Sequence, residues 1–407
     1  MITIKKFVSI LLLSIILLTG CSKNISDKEP LQNESPYLIS KSNAMYGIWF
    51  SYLDFDDFLR GLDKASFEAR MNEVIGNCKK IGLNTIILHV RSHGDAYYFS
   101  DLFPASSHLS GTLDKAMDYD ALALITYMCH KNGISVHAWI NPFRLQSESE
   151  IKTLSDSYLI KQWYNDKNGT YVVNVNGRYF LNCAYSEVRK FICGGIAEVV
   201  KNYDIDGVQF DDYFYPTTDA SFDKTAFEES KSTDLSQFRL DSVNELIKSV
   251  YSTIKEIKPQ VPFGVSPQGN INNNYTSQYA DVKRWCSEEG YIDYIVPQIY
   301  YGFENKTSPF EATANAWQET LTNKKVKFVG GLAAYKIGKT DALAGDENAQ
   351  REWINADGII ARQIKILKNQ KNFGGIILFR YGTLINPPQD LRNAVEAEVI
   401  KIMNETG

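Results

Sequence analysis

The sequence has few of the motifs that build metal, redox or acyl-transfer sites. Its five histidines include no HExxH pair, its six cysteines include no CxxC pair, and no GxSxG motif is present. These absences argue against zinc catalysis, a thiol redox centre and a serine esterase. We therefore expect no metal and no cofactor, and we interpret the cysteines that follow Cys21 as buried packing residues.

Clusters of basic residues are also absent. The formal net charge is −5, and no lysine- or arginine-rich stretch interrupts the acidic balance. Nucleic acids bind mainly through basic surfaces, so a nucleic-acid partner is not expected.

The N-terminus has the order of a secretory signal. Lys5 and Lys6 precede an apolar run from Phe7 to Leu18, and a Leu-Thr-Gly-Cys box ends at Cys21. The run is shorter than the roughly 20 residues of a spanning helix, although an uncleaved anchor helix is the alternative. We predict a lipoprotein signal peptide over 1–20, a lipidated Cys21 with a flexible tether over 21–43, and one domain over 44–407. The domain would lie outside the cytoplasm, anchored to the membrane through Cys21.

From residue 45 onward, short β-rich segments alternate with longer helical patterns. This alternation is typical of parallel strands joined by crossover helices. Eight such cycles predict a closed (β/α)8 barrel of the TIM type, in the α/β class. An open doubly wound sheet is the alternative, but no glycine-rich phosphate loop follows the first strand. The predicted strands are 45–52, 85–91, 135–142, 207–214, 262–267, 294–300, 326–334 and 374–381.

Four of the segments that follow strands are long, namely 92–118, 143–185, 215–235 and 335–354. In barrels of this kind, the site lies at the C-terminal face, which these loops form. Long loops on that face predict a cleft suited to a polymer.

The fourth strand is the most informative one. Along its sequence, Val208 and Phe210 would face the helices, so Gln209 and Asp211 would face the barrel interior. An unpaired carboxylate in that position is costly to bury, which indicates a function rather than a structural role. The same alternation turns other polar side chains inward: His89, Arg91, His137, Trp139, Asn141, Gln298 and Tyr300.

Seven sequence motifs, which follow one another in a fixed order at the ends of predicted strands, are similar to those of a known protein family. They are GIWFSYLDF, GDAYYFSDLFP, HAWINPFR, YDIDGVQFDDYFYP, FGVSPQG, IDYIVPQIYYGF and GLAAYKIG. With them, the chain from about residue 45 to 400 resembles the glycosyl hydrolase-like 10 family of secreted bacterial proteins. The resemblance implies a barrel glycosidase, with activity on cell-wall glycan among the family's members. It places functional residues at Asp95, Asn141, Arg144, Asp211, Asp212, Gln298, Tyr300 and Lys336.

The chain departs from related patterns at a few positions. Family members often carry Gln and Pro where this chain has His89 and Ser92, which puts the family's substrate in doubt here. The fourth strand is also similar to the chitinase pattern DGxDxDxE, but Gln209 and Tyr213 replace two of its acids. A chitinase-type, substrate-assisted mechanism is therefore not expected.

Together these patterns predict a glycoside hydrolase that acts on a poly- or oligosaccharide, with peptidoglycan glycan as the leading candidate. Asp211 is the first catalytic carboxylate, and the second is to be found among Asp212, Asp95 and Glu304. The predicted substrate-binding residues are Arg91, His137, Trp139, Asn141, Arg144, Tyr213, Gln298, Tyr300, Tyr301, Glu304 and Lys336. A lipoprotein that binds glycan without cleaving it is the alternative, since a fold alone does not establish catalysis.

Overall fold

The computed structural model describes residues 44–166 and 169–407, and these contain eleven β-strands. In chain order they are β1 (Met45–Phe50), β2 (Thr85–Arg91), β3 (Ser135–Ile140), β4 (Arg144–Ser147), β5 (Val172–Val175), β6 (Arg178–Leu181), β7 (Gly207–Phe210), β8 (Phe263–Val265), β9 (Tyr294–Ile295), β10 (Lys327–Leu332) and β11 (Phe373–Leu378). Eight of them form a closed parallel barrel in the order β1-β11-β10-β9-β8-β7-β3-β2. The predicted (β/α)8 barrel is confirmed, and β1 closes it by pairing with both β2 and β11.

Several barrel strands are shorter than the sequence predicts, and the local sequence gives the reason. The predicted strand 294–300 is reduced to β9, which ends two residues before Pro297. Proline has no N–H to donate to a neighbouring strand, so it interrupts the ladder. Beyond it, Gln298 forms two isolated bridges, one to Gln268 and one to Gly331.

Helices fill the connections between strands. They are α1 (Tyr52–Phe58), α2 (Lys64–Lys80), α3 (Ser107–Ser110), α4 (Ala121–Lys131), α5 (Glu148–Ile151), α6 (Leu159–Asn165), α7 (Ser186–Asn202), α8 (Lys224–Ser230), α9 (Leu235–Ile257), α10 (Ile271–Ser277), α11 (Val282–Ser287), α12 (Phe310–Thr320), α13 (Glu347–Asn355), α14 (Ile359–Leu367), α15 (Tyr381–Ile385) and α16 (Arg392–Thr406), with 3-10 turns at Ala334–Lys336 and Gln389–Leu391. The segment between β8 and β9 contains two short helices, α10 and α11, which are separated where Tyr279 adopts a left-handed φ of 52°.

The barrel separates two apolar cores. Side chains such as Leu88, Val208 and Phe210 belong to the large core between the strands and the helices. A second cluster fills the barrel interior and contains Trp49, Ile87, Trp139, Tyr294, Val296, Val329 and Ile377. The two clusters follow from the alternation of side chains along each strand.

The strand β2 breaks this alternation near its end. Its pairing with β3 shifts register between His89 and Arg91, which marks a β-bulge. The guanidinium of Arg91 consequently stacks on Phe103, 4.2 Å from the ring centroid, on the helix side of the sheet. The predicted inward direction of Arg91 is therefore wrong.

The long loop after β3 contains a small sheet that the sequence analysis does not predict. Its three antiparallel strands are ordered β4-β6-β5. Asn176 and Gly177 join β5 to β6 with φ values of 53° and 84°. A two-residue hairpin turn of type I′ requires two consecutive positive φ values, and Asn-Gly meets this requirement.

The loop after β7 is fixed by a buried ion pair. Arg239 of α9 binds Asp223 at 2.5 Å, and neither side chain is exposed. The same guanidinium donates to the carbonyl oxygens of Thr218 and Asp219 at 3.2 and 2.7 Å. This wall of the barrel mouth is therefore held by charge-assisted hydrogen bonds.

The predicted signal peptide, the lipidated Cys21 and the tether lie outside the described residues. Within the described ranges, no helix has both the length and the apolar character needed to cross a membrane.

Candidate active site

Asp211 follows β7 directly and points into the barrel mouth, where its side chain is buried. Its Oδ2 accepts hydrogen bonds from Trp139 Nε1 and Asn141 Nδ2, both at 3.0 Å. Its Oδ1 accepts the backbone N–H of Tyr213 at 3.2 Å. Two neighbouring strands therefore fix both oxygens of this carboxylate.

Asp212 is half-buried at the rim, beside Asp211. Its Oδ1 accepts a hydrogen bond from Gln298 Nε2 at 3.0 Å. The same nitrogen donates to the carbonyl oxygen of Ser266 at 3.1 Å. Gln298 thus ties the second carboxylate to the segment that follows β8.

The two carboxylates titrate together. Burial, and next the charge of Asp212, raise the pKa of Asp211 to about 7, whereas Arg144 and the Trp139 hydrogen bond oppose the rise. Burial also raises the pKa of Asp212. Because the groups interact, the two proton losses belong to the pair. Between these losses, the pair holds one proton and one negative charge.

A cavity of about 240 Å³ opens above the pair. Arg144 lies on its wall, with its guanidinium 4.4 Å from the ring centroid of Tyr213 and its Nε donating to the Ser92 carbonyl at 3.1 Å. Most of the other walls are aromatic. The complete lining is Trp49, Ser51, Tyr52, Leu53, His89, Trp139, Arg144, Asp211, Asp212, Tyr213, Ser266, Gln298, Tyr300, Tyr335 and Phe379.

The structure brings many of the predicted site residues together. The lining of the cavity includes Trp139, Arg144, Asp211, Asp212, Tyr213, Gln298 and Tyr300. Asn141 adjoins it through its hydrogen bond to Asp211. These residues come from β3, β7 and β9 or from the segments that follow them, as expected for a site at the C-terminal face.

Three other predicted site residues, which belong to β2, to β3 or to the turn after β2, do not line the cavity. Asp95 Oδ1 accepts the backbone N–H groups of Ser92 and His93 at 3.0 and 2.8 Å, so its carboxylate fixes the turn after β2. His137 lies deeper in the barrel and bonds to the Tyr294 hydroxyl at 2.8 Å. Arg91 lies outside the barrel because of the bulge in β2.

Three more predicted residues belong to the loops after β9 and β10, away from the cavity. Tyr301 packs against Gly269, and Glu304 has an exposed side chain. Lys336 Nζ donates to the Tyr300 carbonyl at 2.8 Å and to Asp341 Oδ2 at 2.6 Å. Lys336 therefore braces the loop that carries Tyr300 and does not line the cavity.

The sequence analysis missed part of the lining because it did not apply the alternation test to β1 or to the last residues of β11. That test turns Trp49 inward on β1, and Trp49 Nε1 donates to Gln209 Oε1 at 2.7 Å. It also turns Phe379 inward after Ile377. On the predicted strand 262–267 the test also turns Ser266 inward, because Phe263 and Val265 face the helices. Tyr335 follows a strand and has no comparable signal.

The described residues contain no group of three or more His, Cys, Asp or Glu side chains arranged to hold a metal ion. The polar groups that line or adjoin the cavity are a carboxylate pair, an arginine, a histidine, side-chain amides, and the hydroxyls of serines and tyrosines.

Several known proteins are similar to this chain in sequence or in fold. The family model described as glycosyl hydrolase-like 10 matches residues 44–353. The chain is 30% identical over 362 residues to glycosyl hydrolase YngK of Bacillus subtilis (strain 168), covering 84% of this chain and 68% of that protein. It is also 30% identical over 381 residues to glycosyl hydrolase DigH of Escherichia coli (strain K12), covering 86% and 85%.

Two solved structures share the fold. Alpha-L-fucosidase isoenzyme 2 from Paenibacillus thiaminolyticus has a TM-score of 0.55 at 14% identity, with 89% of this chain and 49% of that chain covered. The chain thus spans about half of that fucosidase's length. The PgaB (BpsB) glycoside hydrolase domain from Bordetella bronchiseptica has a TM-score of 0.53 at 12% identity, with 89% and 99% covered. At such identities, the likeness concerns the fold alone.

Proposed function

Because the chain belongs to the glycosyl hydrolase-like 10 family, we propose that it hydrolyses glycosidic bonds of a poly- or oligosaccharide outside the cytoplasm. The observation that carries the proposal is the pair formed by the buried Asp211 and the half-buried Asp212, which both line one cavity at the barrel mouth. Burial raises the pKa of both carboxyl groups. Structural carboxylates are more often exposed or ion-paired, so such a pair favours acid and base chemistry.

The pair supplies both functions that glycoside hydrolysis needs. The protonated carboxyl transfers its proton to the glycosidic oxygen as the bond from that oxygen to the anomeric carbon breaks. The ionised carboxylate either bonds to the anomeric carbon or takes a proton from the attacking water. Where the carboxylate has bonded to the anomeric carbon, water then displaces it and gives one proton to the other carboxylate, which restores the single proton of the pair. In both cases water ends as a hydroxyl on the anomeric carbon, and the departing sugar keeps the transferred proton.

The walls of the cavity suit a sugar ring. Aromatic faces such as those of Trp49, Tyr52 and Phe379 can pack on the apolar face of a pyranose. Arg144 offers N–H donors to its oxygen atoms, whereas both N–H groups of Gln298 already bind Asp212 and the Ser266 carbonyl, which leaves Gln298 its carbonyl oxygen as an acceptor. We assign these residues to substrate binding, and Asp211 and Asp212 to catalysis.

Cell-wall peptidoglycan glycan is the substrate that we propose first. The N-terminal order of lysines, apolar run and Cys21 supports export and lipid anchoring, which would hold the domain beside that polymer. The long loops around the cavity also favour a polymeric ligand.

The test is to incubate the purified protein with glycan strands freed of peptides and with a panel of other polysaccharides, and to measure new reducing ends. Asp211→Asn and Asp212→Asn should each lower kcat/KM by roughly 1000-fold or more, because either change removes one member of the acid and base pair. Asp357→Asn is the matched control, since Asp357 is an exposed carboxylate paired with Lys401. It should leave the rate unchanged.

Two results would oppose the proposal. Equal rates for the wild type and both site variants would remove the carboxylate pair from the mechanism. Binding of glycan by the wild type without cleavage of any member of the panel would favour the non-catalytic alternative.

A further inference from the structure

Two polar atoms of the cavity residues have no hydrogen-bond partner among the described residues. They are Ser266 Oγ and His89 Nε2. Both residues line the cavity, and their exposed fractions are 1% and 0%. A buried polar group without a partner costs free energy, so two of them in one cavity call for a physical explanation.

Ser266 directly follows β8, and its backbone is fully engaged. Its N–H donates to the Phe210 carbonyl at 2.7 Å, and its own carbonyl accepts from Gln298 at 3.1 Å. Only its side-chain hydroxyl has no hydrogen-bond partner among the described residues. A serine hydroxyl can both donate and accept, and it rotates to suit its partner.

His89 offers a single donor. Its Nδ1 accepts the backbone N–H of Tyr52 at 3.2 Å, so the neutral ring carries its hydrogen on Nε2. Burial, and next the charge of Arg144, lower the pKa of His89 well below its usual range, which keeps the ring neutral. The ring stacks on Trp139 with centroids 3.6 Å apart and an interplanar angle of 8°, so its orientation is fixed.

The two groups lie on opposite sides of Asp211. Ser266 follows β8, the neighbour of β7 on one side, whereas His89 belongs to β2, two strands away on the other side. A ligand ring held against the carboxylate pair would therefore have one of these groups at each flank.

We propose that Ser266 Oγ and His89 Nε2 are substrate-recognition groups, which hydrogen-bond to oxygen substituents on two sides of the sugar ring that the carboxylate pair attacks. The inference rests on the proposed function and deepens it. It selects a saccharide with an acceptor oxygen facing His89 and a hydroxyl or carbonyl oxygen facing Ser266. A ring that lacks either oxygen would leave a protein group unpaired, which is the basis of strong discrimination.

The first experiment compares activity with stability, because removal of a substrate-recognition group should lower the first without lowering the second. Ser266→Ala should lower kcat/KM by roughly 10- to 100-fold, because a hydrogen bond to the substrate is lost. The same change should leave the thermal midpoint equal or higher, because it removes an unpaired buried hydroxyl. A structural hydroxyl would instead show a lower midpoint with unchanged kinetics, and that result would overturn the assignment of Ser266.

The matched control is Ser242→Ala in α9. Ser242 is also buried, but its hydroxyl donates to the Phe238 carbonyl at 2.8 Å and is remote from the cavity. Its removal should leave kcat/KM unchanged and should not raise the thermal midpoint.

The second experiment separates the two nitrogens of His89. In His89→Asn, the amide oxygen can replace Nδ1 as the acceptor for Tyr52, but no donor remains at the position of Nε2. In His89→Gln, the longer amide can return a donor to that position. The proposal expects kcat/KM to fall roughly tenfold or more in the asparagine variant and to recover in part in the glutamine variant. Wild-type kinetics in His89→Asn would overturn the assignment of His89.

A failure of the proposed function can be told from a failure of this inference. If the wild type cleaves sugars and the Ser266 and His89 variants do so equally well, only the recognition groups are wrong. If the wild type cleaves none, calorimetric binding of peptide-free glycan strands replaces the kinetics. Weaker binding by Ser266→Ala and His89→Asn then supports recognition, and unchanged or absent binding overturns it.

Discussion

Asp211 and Asp223 are both buried carboxylates, but they are held in different ways. Asp223 lies against the guanidinium of Arg239. Asp211 instead accepts hydrogen bonds from neutral groups, namely Trp139 Nε1, Asn141 Nδ2 and the Tyr213 backbone N–H. Neutral donors orient a carboxylate but compensate its charge less than an ion pair does. Burial, which these donors offset only in part, therefore raises the pKa of Asp211 to about 7, and a proton is available near neutral pH.

The direction of this shift predicts the pH dependence of the reaction. The pair can act as acid and base only while it holds one proton, and burial with the charge of Asp212 raises the pKa of Asp211 to about 7. As the pH rises through that value, the last proton leaves and kcat/KM should fall about tenfold per pH unit. The measurement is kcat/KM between pH 4 and 10, on protein shown by circular dichroism to stay folded. A rate that stays constant from pH 6 to 9 would contradict the assignment of the acid.

At the scale of single residues, the sequence predicts which way a side chain points better than it predicts which groups the side chain contacts. The inward direction of Asp211 and Gln209 follows from two outward apolar neighbours, Val208 and Phe210. The role of Asp95 in its turn could not be predicted, because its partners are backbone N–H groups whose positions depend on the loop conformation.

At the scale of the strands and loops, one extra residue in β2 decides which arginine reaches the site. The bulge turns Arg91 onto Phe103 outside the barrel, while Arg144 at the start of β4 lies on the cavity wall. A β-bulge reverses the side-chain direction beyond it, and simple alternation does not anticipate it.

These two arginines give a matched pair of substitutions. Arg144→Met should lower kcat/KM and move the alkaline limb of the pH profile upward by roughly one unit, because Arg144 lowers the pKa of Asp211. Arg91→Met should leave both the limb and kcat/KM close to wild type. The comparison is made by rate profiles at a temperature where circular dichroism shows both variants folded. A shifted limb in Arg91→Met alone would contradict the placement of the two side chains.

The small sheet after β3 shows what an element-level analysis can miss. Its hairpin has a clear local signal in Asn176-Gly177, between short β-rich segments. The prediction of 143–185 as one long loop does not use this local signal. The pairing of β4 with β6 is not local and has no comparable signal.

At the scale of the whole molecule, the barrel extends beyond the part of the chain that the family model matches. That match ends at residue 353, whereas β11 begins at Phe373 and pairs with both β1 and β10. Without β11, the neighbouring strands would have unpaired edges and the interior cluster would lose Ile377.

A truncation tests this dependence. A fragment of residues 44–353 should fail to unfold cooperatively and should aggregate, because two exposed strand edges and an open core remain. A fragment of residues 44–407 should give one sharp thermal transition, as expected of the predicted single domain. Far-UV circular dichroism during heating measures both. Cooperative unfolding of the shorter fragment would show that barrel closure is dispensable.

The sequence by itself determined the eight-strand barrel, the inward direction of Asp211 and the family, because strand periodicity and ordered motifs are local properties that any part of the chain displays. The tertiary structure decided which polar residues meet. The raised pKa of the carboxylate pair, the outward turn of Arg91 and the unpaired atoms of Ser266 and His89 all depend on burial and on neighbours distant in sequence. Electrostatic and hydrogen-bonding energies depend on such neighbours, so only the folded chain fixes them.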